Sequence, residues 1–399
     1  MRLSPLTHAP LGDLVRIKSG GTPSKGNAAY WGDDLPWITA KDLKSRYLVG
    51  SIQKLSAAGR SVATIAPVDA LLILVRGMGL FKDIPIGICK TEAAFNQDVK
   101  ALIPDSAIDS GFLYCALESL KPVLMQLVEA AGHGTGRLDT AKLLALPIPL
   151  PPLPEQRRIA AALGTWDAAI ETTERLVGLA AQALSARRIL LLSSRHNRNR
   201  REWRTATLGD VTEELTSRNG TRLTAASVMG VIKGDGFQPM RERTIGSDLS
   251  RYKIVPPSAF AYNPMRLNIG SLAFSTFATD ILVSPDYVAF AAKRETCAPE
   301  FLNELRQLPR WAAWCQQGGS GSVRTRIYYS DLIGMPIDLP PLSTQRRTSA
   351  VLADLANRHK TAVRRLELLR EQKRGLMQRL LTGKVRVPEA VADLSPAAD

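Results

Sequence analysis

One phrase occurs twice in this chain, and it constrains the fold more than any other feature. After Arg137 comes Leu146-Pro147-Ile148-Pro149-Leu150-Pro151-Pro152-Leu153-Pro154-Glu155-Gln156-Arg157-Arg158. After Arg326 comes Met335-Pro336-Ile337-Asp338-Leu339-Pro340-Pro341-Leu342-Ser343-Thr344-Gln345-Arg346-Arg347, at a constant offset from the first. A shorter echo pairs Leu11-Gly12-Asp13-Leu14 with Leu208-Gly209-Asp210-Val211. The frame repeats while the sequence inside it does not. Such a chain builds one scaffold twice and hangs a different block on each copy.

Each proline motif is a breaker that opens a long helical pattern. Pro154 and Ser343 suit a helix start, because proline fits the first turn and serine caps it. Apolar residues then fall three and four apart: Ile159, Leu163, Trp166, Ile170, Leu176, Val177, Leu184 and Leu191, and later Val351, Leu352, Leu355, Val363, Leu366, Leu369, Leu376 and Leu380. That spacing predicts helices over 155–192 and 343–382, each about 55–60 Å long with one apolar stripe. Packed against each other as a coiled coil, the two would cover their stripes. Equivalent helices leaving equivalent blocks must meet head to tail, so an antiparallel pair is expected, with a block at each end. The blocks, about 10–145 and 207–335, mix short apolar runs (70–75, 287–290) with helical segments (111–130, 300–317) and read as α+β.

The 399-residue chain carries a net charge of +15. Residues 1–154 are net +3, 155–204 net +5, 205–338 net +1 and 339–399 net +6. The excess follows each proline motif. A basic chain favours a polyanion, most often nucleic acid, with a generally basic solvated surface as the competing reading. No apolar run is long enough to span a membrane. Cys89, Cys115, Cys297 and Cys315 are scattered without CxxC spacing, which points to reduced thiols in a cytoplasmic protein.

No catalytic constellation emerges. Gly20-Gly21-Thr22-Pro23-Ser24-Lys25-Gly26 lacks the GK[ST] ending of a phosphate-binding loop. Asn263-Pro264-Met265 shares only its first two letters with an amino-methyltransferase motif. The four histidines form no metal-binding pattern, so no metal is expected, and no nucleophile, base and stabiliser can be nominated together. A binding protein is the better reading.

The binding signals are three. Ser19, Gly20, Gly21, Thr22, Ser24 and Lys25 would offer free N–H groups, hydroxyls and a cation to phosphate, unless the segment is a plain flexible turn. Arg218, Arg222, Lys233, Arg241 and Arg243 lie in a glycine-punctuated stretch, and arginine forks suit guanine edges. Lys41, Arg76, Lys82, Arg137, Arg266, Arg324 and Arg326 are further candidate DNA contacts. Gln156, Arg157 and Arg158, with Gln345, Arg346 and Arg347, place cations in the first turn of a helix, where the macrodipole disfavours them. Repetition of that choice suggests a grip on phosphate or on a partner's carboxylates; neutral inheritance from a duplication is the competing reading.

These residues carry a resemblance. Leu11-Gly12-Asp13, Ser19-Gly20-Gly21-Thr22-Pro23, Pro36-Trp37-Ile38, Phe95-Asn96-Gln97, both Leu-Pro-Pro-Leu…Gln-Arg-Arg segments and Leu380-Leu381-Thr382-Gly383-Lys384-Val385 are similar to the specificity (S) subunits of type I restriction–modification systems. Ala261-Tyr262-Asn263-Pro264-Met265-Arg266 and Val283-Ser284-Pro285-Asp286-Tyr287 resemble another common form of target-recognition domain. Ser343-Thr344 stands where the first motif has Pro154-Glu155. The resemblance implies an α+β fold of two target-recognition domains (1–154 and 205–341) separated by two long antiparallel helices with the linker and tail (155–204 and 342–399). It implies that each domain reads half of a bipartite site in double-stranded DNA. Two modification (methyltransferase) subunits and the restriction (helicase-nuclease) subunits would dock on this frame. The chain itself would be non-catalytic and hold no cofactor: S-adenosylmethionine, ATP and Mg would belong to the partners. A self-sufficient modification enzyme and a coiled-coil scaffold are the other classes.

Overall fold

The structure, a computed structural model, describes residues 6–132, 134–193, 200–241, 244–317 and 326–388. The chain forms two compact units, Met1–Glu174 with Arg365–Asp399, and Arg175–Arg364.

The first unit holds two five-stranded sheets. One runs Val15–Ser19, Val99–Pro104, Leu71–Leu74, Ile86–Cys89, Tyr47–Leu48; the other runs Trp31–Gly32, Gln53–Leu55, Leu35–Ile38, Ala93–Phe95, Ile65–Ala66. Leu71–Leu74 is buried at every residue, as a continuous apolar run in a central strand should be. The helical segment expected over 111–130 breaks into Ser110–Ser119 and Lys121–Gln126, and Val128–Ala130 turns back as a strand. In the second unit the four-stranded sheet runs Thr212–Glu214, Val288–Ala292, Phe260–Tyr262, Leu272–Phe274. Phe260, Tyr262 and Phe290 fill its core, and helices Pro299–Leu305 and Pro309–Gln317 replace the single helix expected there.

The two sequence echoes prove to be halves of one device, built once in each unit. His8–Pro10 pairs with Pro147–Pro149, and Leu11 N–H donates to Leu146 O at 2.9 Å. Arg204–Thr207 pairs with Pro336–Leu339, and Leu208 N–H donates to Met335 O at 2.9 Å. Leu11, Ile148, Leu208 and Ile337 are buried beneath these joints.

The long helices run Leu153–Leu191 and Leu342–Leu381, within two residues of the expected bounds. In the first unit they are antiparallel: Glu155, Asp167 and Glu174 meet Arg386, Lys373 and Arg370 in that order. The fold is α+β, as expected. The stripe is only partly covered, however. Leu163, Leu352 and Leu380 are buried, but Leu176 and Val351 are 53% and 43% exposed, and Leu179 and Leu368 are exposed as well. No helix among the described residues is long and apolar enough to cross a membrane.

Candidate nucleic-acid interface

Three separated motifs of the first unit converge on one surface. Phe95 ends a strand that pairs in parallel with Leu35–Ile38, and Asn96 N–H donates to Ile38 O at 3.0 Å. The Ser19–Lys25 loop lies across this turn. A Cβ on Gly20 would sit 2.3 Å from Asn96 O and 2.4 Å from Phe95 O, so only glycine permits the approach. Gly21 N–H donates to Phe95 O at 2.9 Å, and Thr22 Oγ1 lies 2.6 Å from Gln97 Oε1. Trp37 Nε1 donates to Gly21 O and Trp31 Nε1 to Ser24 O, at 3.1 and 3.3 Å.

The segment is therefore not a flexible turn. The expectation of free groups is corrected at three places: the Gly21 N–H and the Thr22 and Ser19 hydroxyls are already engaged within the fold. Ser19 Oγ meets the Lys100 ammonium. Ser24 and Lys25 stay exposed on the outer surface, with Lys25 Nζ 5.9 Å from the centroid of the Trp37 ring.

The same turn supports the first unit's arginines. Val75 and Arg76 N–H groups donate to Asp98 O, and Leu138 N–H donates to Val75 O. Arg76–Gly77 then pairs with Gly136–Leu138, so that Arg76 and Arg137 stand directly opposite, both exposed. Like charges in that register repel. Glu129 opposes Arg137 on the third strand, but its carboxylate is engaged by Lys142 Nζ at 2.5 Å. Met78 is 75% exposed and Phe81 49% exposed on the short helix that follows Gly77, with Lys82 exposed after it. Two exposed arginines at one register position, beside a pinned polar loop and apolar side chains, suit a polyanion. Lys41 is exposed elsewhere on the unit.

In the second unit the candidates are dispersed. Arg218 Nη1 donates to Arg251 O at 2.7 Å, Arg222 lies 3.6 Å from Asp280, and Arg326 Nη1 lies 3.5 Å from Tyr328 Oη. Arg241 and Arg266 are exposed, and Lys233 lines a cleft. Arg243 and Arg324 lie outside the described residues.

The repeated glutamines require a correction. Gln156 and Gln345 are each 1% exposed. Gln156 Oε1 accepts from Asp109 N–H at 2.8 Å, and Nε2 donates to Ala107 O and Pro151 O at 3.0 and 2.9 Å. Gln345 repeats the pattern: Oε1 accepts from Ala298 N–H at 2.9 Å, and Nε2 donates to Thr296 O and Pro340 O at 3.1 and 2.9 Å. Every polar atom of the two amides is satisfied within the fold, so neither reaches a partner or a phosphate. They clamp each long helix to its own unit. Arg157, Arg346 and Arg347 remain exposed, while Arg158 is half-buried.

Sequence reasoning missed one cluster. Arg46, with 7% of its side chain exposed, donates to Asp167 Oδ2 at 2.8 Å and lies over Tyr114 at 5.0 Å. Lys373, 14% exposed, takes the other Asp167 oxygen. One carboxylate thus joins the block to both long helices. An acid amid the apolar positions Leu163, Trp166 and Ile170 was the available signal.

Among the described residues no group of three or more His, Cys, Asp or Glu side chains could hold a metal. All four cysteines are free and buried, and burial raises the Cys89 thiol to about 12 and that of Cys115 to about 11.

Residues 6–177 match the family model of the type I restriction modification DNA specificity domain. The chain is 32% identical over 161 residues to the type I restriction enzyme EcoR124I/EcoR124II specificity subunit of Escherichia coli, covering 39% of this chain and 40% of that protein. It is 31% identical over 172 residues to the MjaIX specificity subunit of Methanocaldococcus jannaschii, covering 41% and 38%. The chain thus spans about two fifths of these relatives. The fold extends further. The crystal structure of a type I restriction-modification S subunit from M. genitalium aligns with a TM-score of 0.61 at 14% identity, over 94% of this chain and 96% of that one. A chain of another type I R-M system aligns at 0.52 with 15% identity, over 96% and 100%.

Proposed function

Because residues 6–177 match the family model of the type I restriction modification DNA specificity domain, and the chain has the fold of type I S subunits, we propose that it is the DNA-reading subunit of such a system. Each unit reads one half of a bipartite duplex site. The observation that carries this reading is the opposed, exposed pair Arg76 and Arg137, held beside the pinned Ser19–Lys25 loop. Duplex phosphate would pair with these exposed guanidinium groups.

The chain supplies no chemistry in this reading. Methylation with S-adenosylmethionine, and ATP- and Mg-dependent cleavage, belong to modification and restriction subunits in the same cytoplasmic complex. Docking of the modification subunits is supported by the apolar side chains that the long helices leave exposed: Leu176, Leu179, Val351 and Leu368. A protein surface that covers them gains about 25 cal/mol per Å² of apolar area. With net charges of only +3 and +1 on the two blocks, the chain alone binds duplex weakly, and the assembled complex binds tightly.

The test is duplex binding by the complex across a salt series. Arg76→Ala with Arg137→Ala is expected to lower affinity and to reduce the slope of log K on log salt by about 0.9 per lost phosphate contact. Unchanged affinity and slope in the double variant would remove this surface from the reading.

A further inference from the structure

We propose that the second unit contains a phosphate-binding cleft centred on Arg306 and Lys233. Two adjoining hollows of about 450 and 410 Å³ share Lys233, Gly270, Leu272 and Arg306. Each has the size of a small-ligand site. The inference rests on the charge they enclose, and it deepens the DNA reading only if the phosphate is one of the duplex.

Arg306 follows the helix Pro299–Leu305 and is half-buried. Its Nε donates to Asn303 Oδ1 at 2.8 Å and its Nη1 to Leu272 O at 3.1 Å. Neither acceptor is charged, and Nη2 has no acceptor among the described residues. The neighbouring carboxylate of Glu304 is engaged by Arg188, 2.7 Å away. Among the described residues no carboxylate forms an ion pair with Arg306. Burying a guanidinium is costly, and burial pushes the Arg306 pKa down to about 10, against the opposing pull of the nearby Glu304 carboxylate. An anion entering the cleft relieves that cost.

The walls suit phosphate. Lys233 stands exposed at the mouth and offsets Asp235 beside it, which leaves Arg306 as the surplus charge. Gly234 and Gly236 have φ of 88° and 74°, and a Cβ at either would meet nothing within 4 Å. Backbone conformation, not space, requires glycine there, and it leaves bare peptide at the mouth, where N–H groups can face phosphate oxygens. Phe237, Phe274 and Phe277 complete the wall.

The full chain, Lys233→Ala and Arg306→Gln separate the outcomes. In one arm inorganic phosphate and then pyrophosphate are titrated while thermal unfolding is followed. In the other, duplex binding by each protein with its modification subunits is measured across a salt series. A phosphate-dependent rise in Tm for the native chain, lost in both variants, supports a site for free phosphate. A salt slope reduced by about 0.9 in each variant, without a phosphate effect on Tm, supports a contact to a backbone phosphate. No phosphate response together with unchanged slopes in both variants overturns the site. If Arg306→Gln does not fold, the exposed Lys233→Ala decides alone. If the native complex binds no duplex, the DNA reading fails and the phosphate arm still decides the cleft.

Discussion

At the scale of the residue, the repeat is most informative where it is least exposed. Gln156→Ala leaves two carbonyls and one N–H without their partner, and Gln345→Ala does the same in the second unit. Each variant is expected to lose about 2–4 kcal/mol in urea unfolding, since every unsatisfied buried group costs about 1–3 kcal/mol and some are rehydrated. The salt slope of duplex binding should not move, and a changed slope would return these residues to the interface. Asp139 gives a pH signature. Its carboxylate caps the helix Thr140–Leu144, and hydrogen bonds from Lys142 N–H, then Ala141 N–H, hold its pKa below the usual carboxylate range. A depressed folded pKa means a stabilisation present above the unfolded value of about 3.9 and lost as pH falls through the folded one. Asp139→Asn keeps a capping oxygen and removes the charge, so its stability should follow a flatter acid limb than the native chain between about pH 5 and 2. Parallel acid limbs in urea titrations would contradict this.

Among the elements, the long helices were legible and much of what they touch was not. Their bounds follow from proline and serine chemistry at Pro154 and Ser343 and from apolar spacing, which are local properties. The helical stripe leaves Leu176 and Val351 exposed, because periodicity gives a face but not what covers it. The Arg76 and Arg137 pairing depends on a register between distant strands, and the clamp on Gln156 depends on Ala107 and Asp109, which no local pattern displays. The loop at 19–25 was found by composition, yet its groups were misread as free, since their acceptors lie at Phe95 and Gln97. Asp167 gives the sharpest test at this scale. Asp167→Asn leaves the Arg46 and Lys373 cations with little compensation and should destabilise the first unit by about 2–3 kcal/mol, discounted from the value for a fully buried pair because Asp167 is 26% exposed. Replacing Arg46, Asp167 and Lys373 together by apolar residues of similar size should recover most of that loss in the same unfolding assay. A triple variant weaker than the single one would contradict the account.

Across the whole molecule, the frame repeats and the blocks differ, and under the proposed reading this makes each block an independent reader. Under the proposed reading, exchanging residues 10–145 for the matching block of a type I S subunit should change one half of the recognised site and leave the other half intact. Methylation mapping of the chimera decides it, and a change in both halves would show that the blocks are coupled. The division of the chain into units also bears on the order of events during synthesis. The second unit is one continuous stretch, Arg175–Arg364, whereas the first waits for Arg365 onward. Leu380 and Leu381 lie in the core of that first unit, with Leu376, Met377, Val385 and Val387 packed against it. A ribosome releases these residues only after the whole of Arg175–Arg364. The part translated first therefore finishes folding after its neighbour, and its apolar surface stays open until then. That interval exposes it to aggregation or to chaperones, which the second unit, complete in itself, escapes sooner.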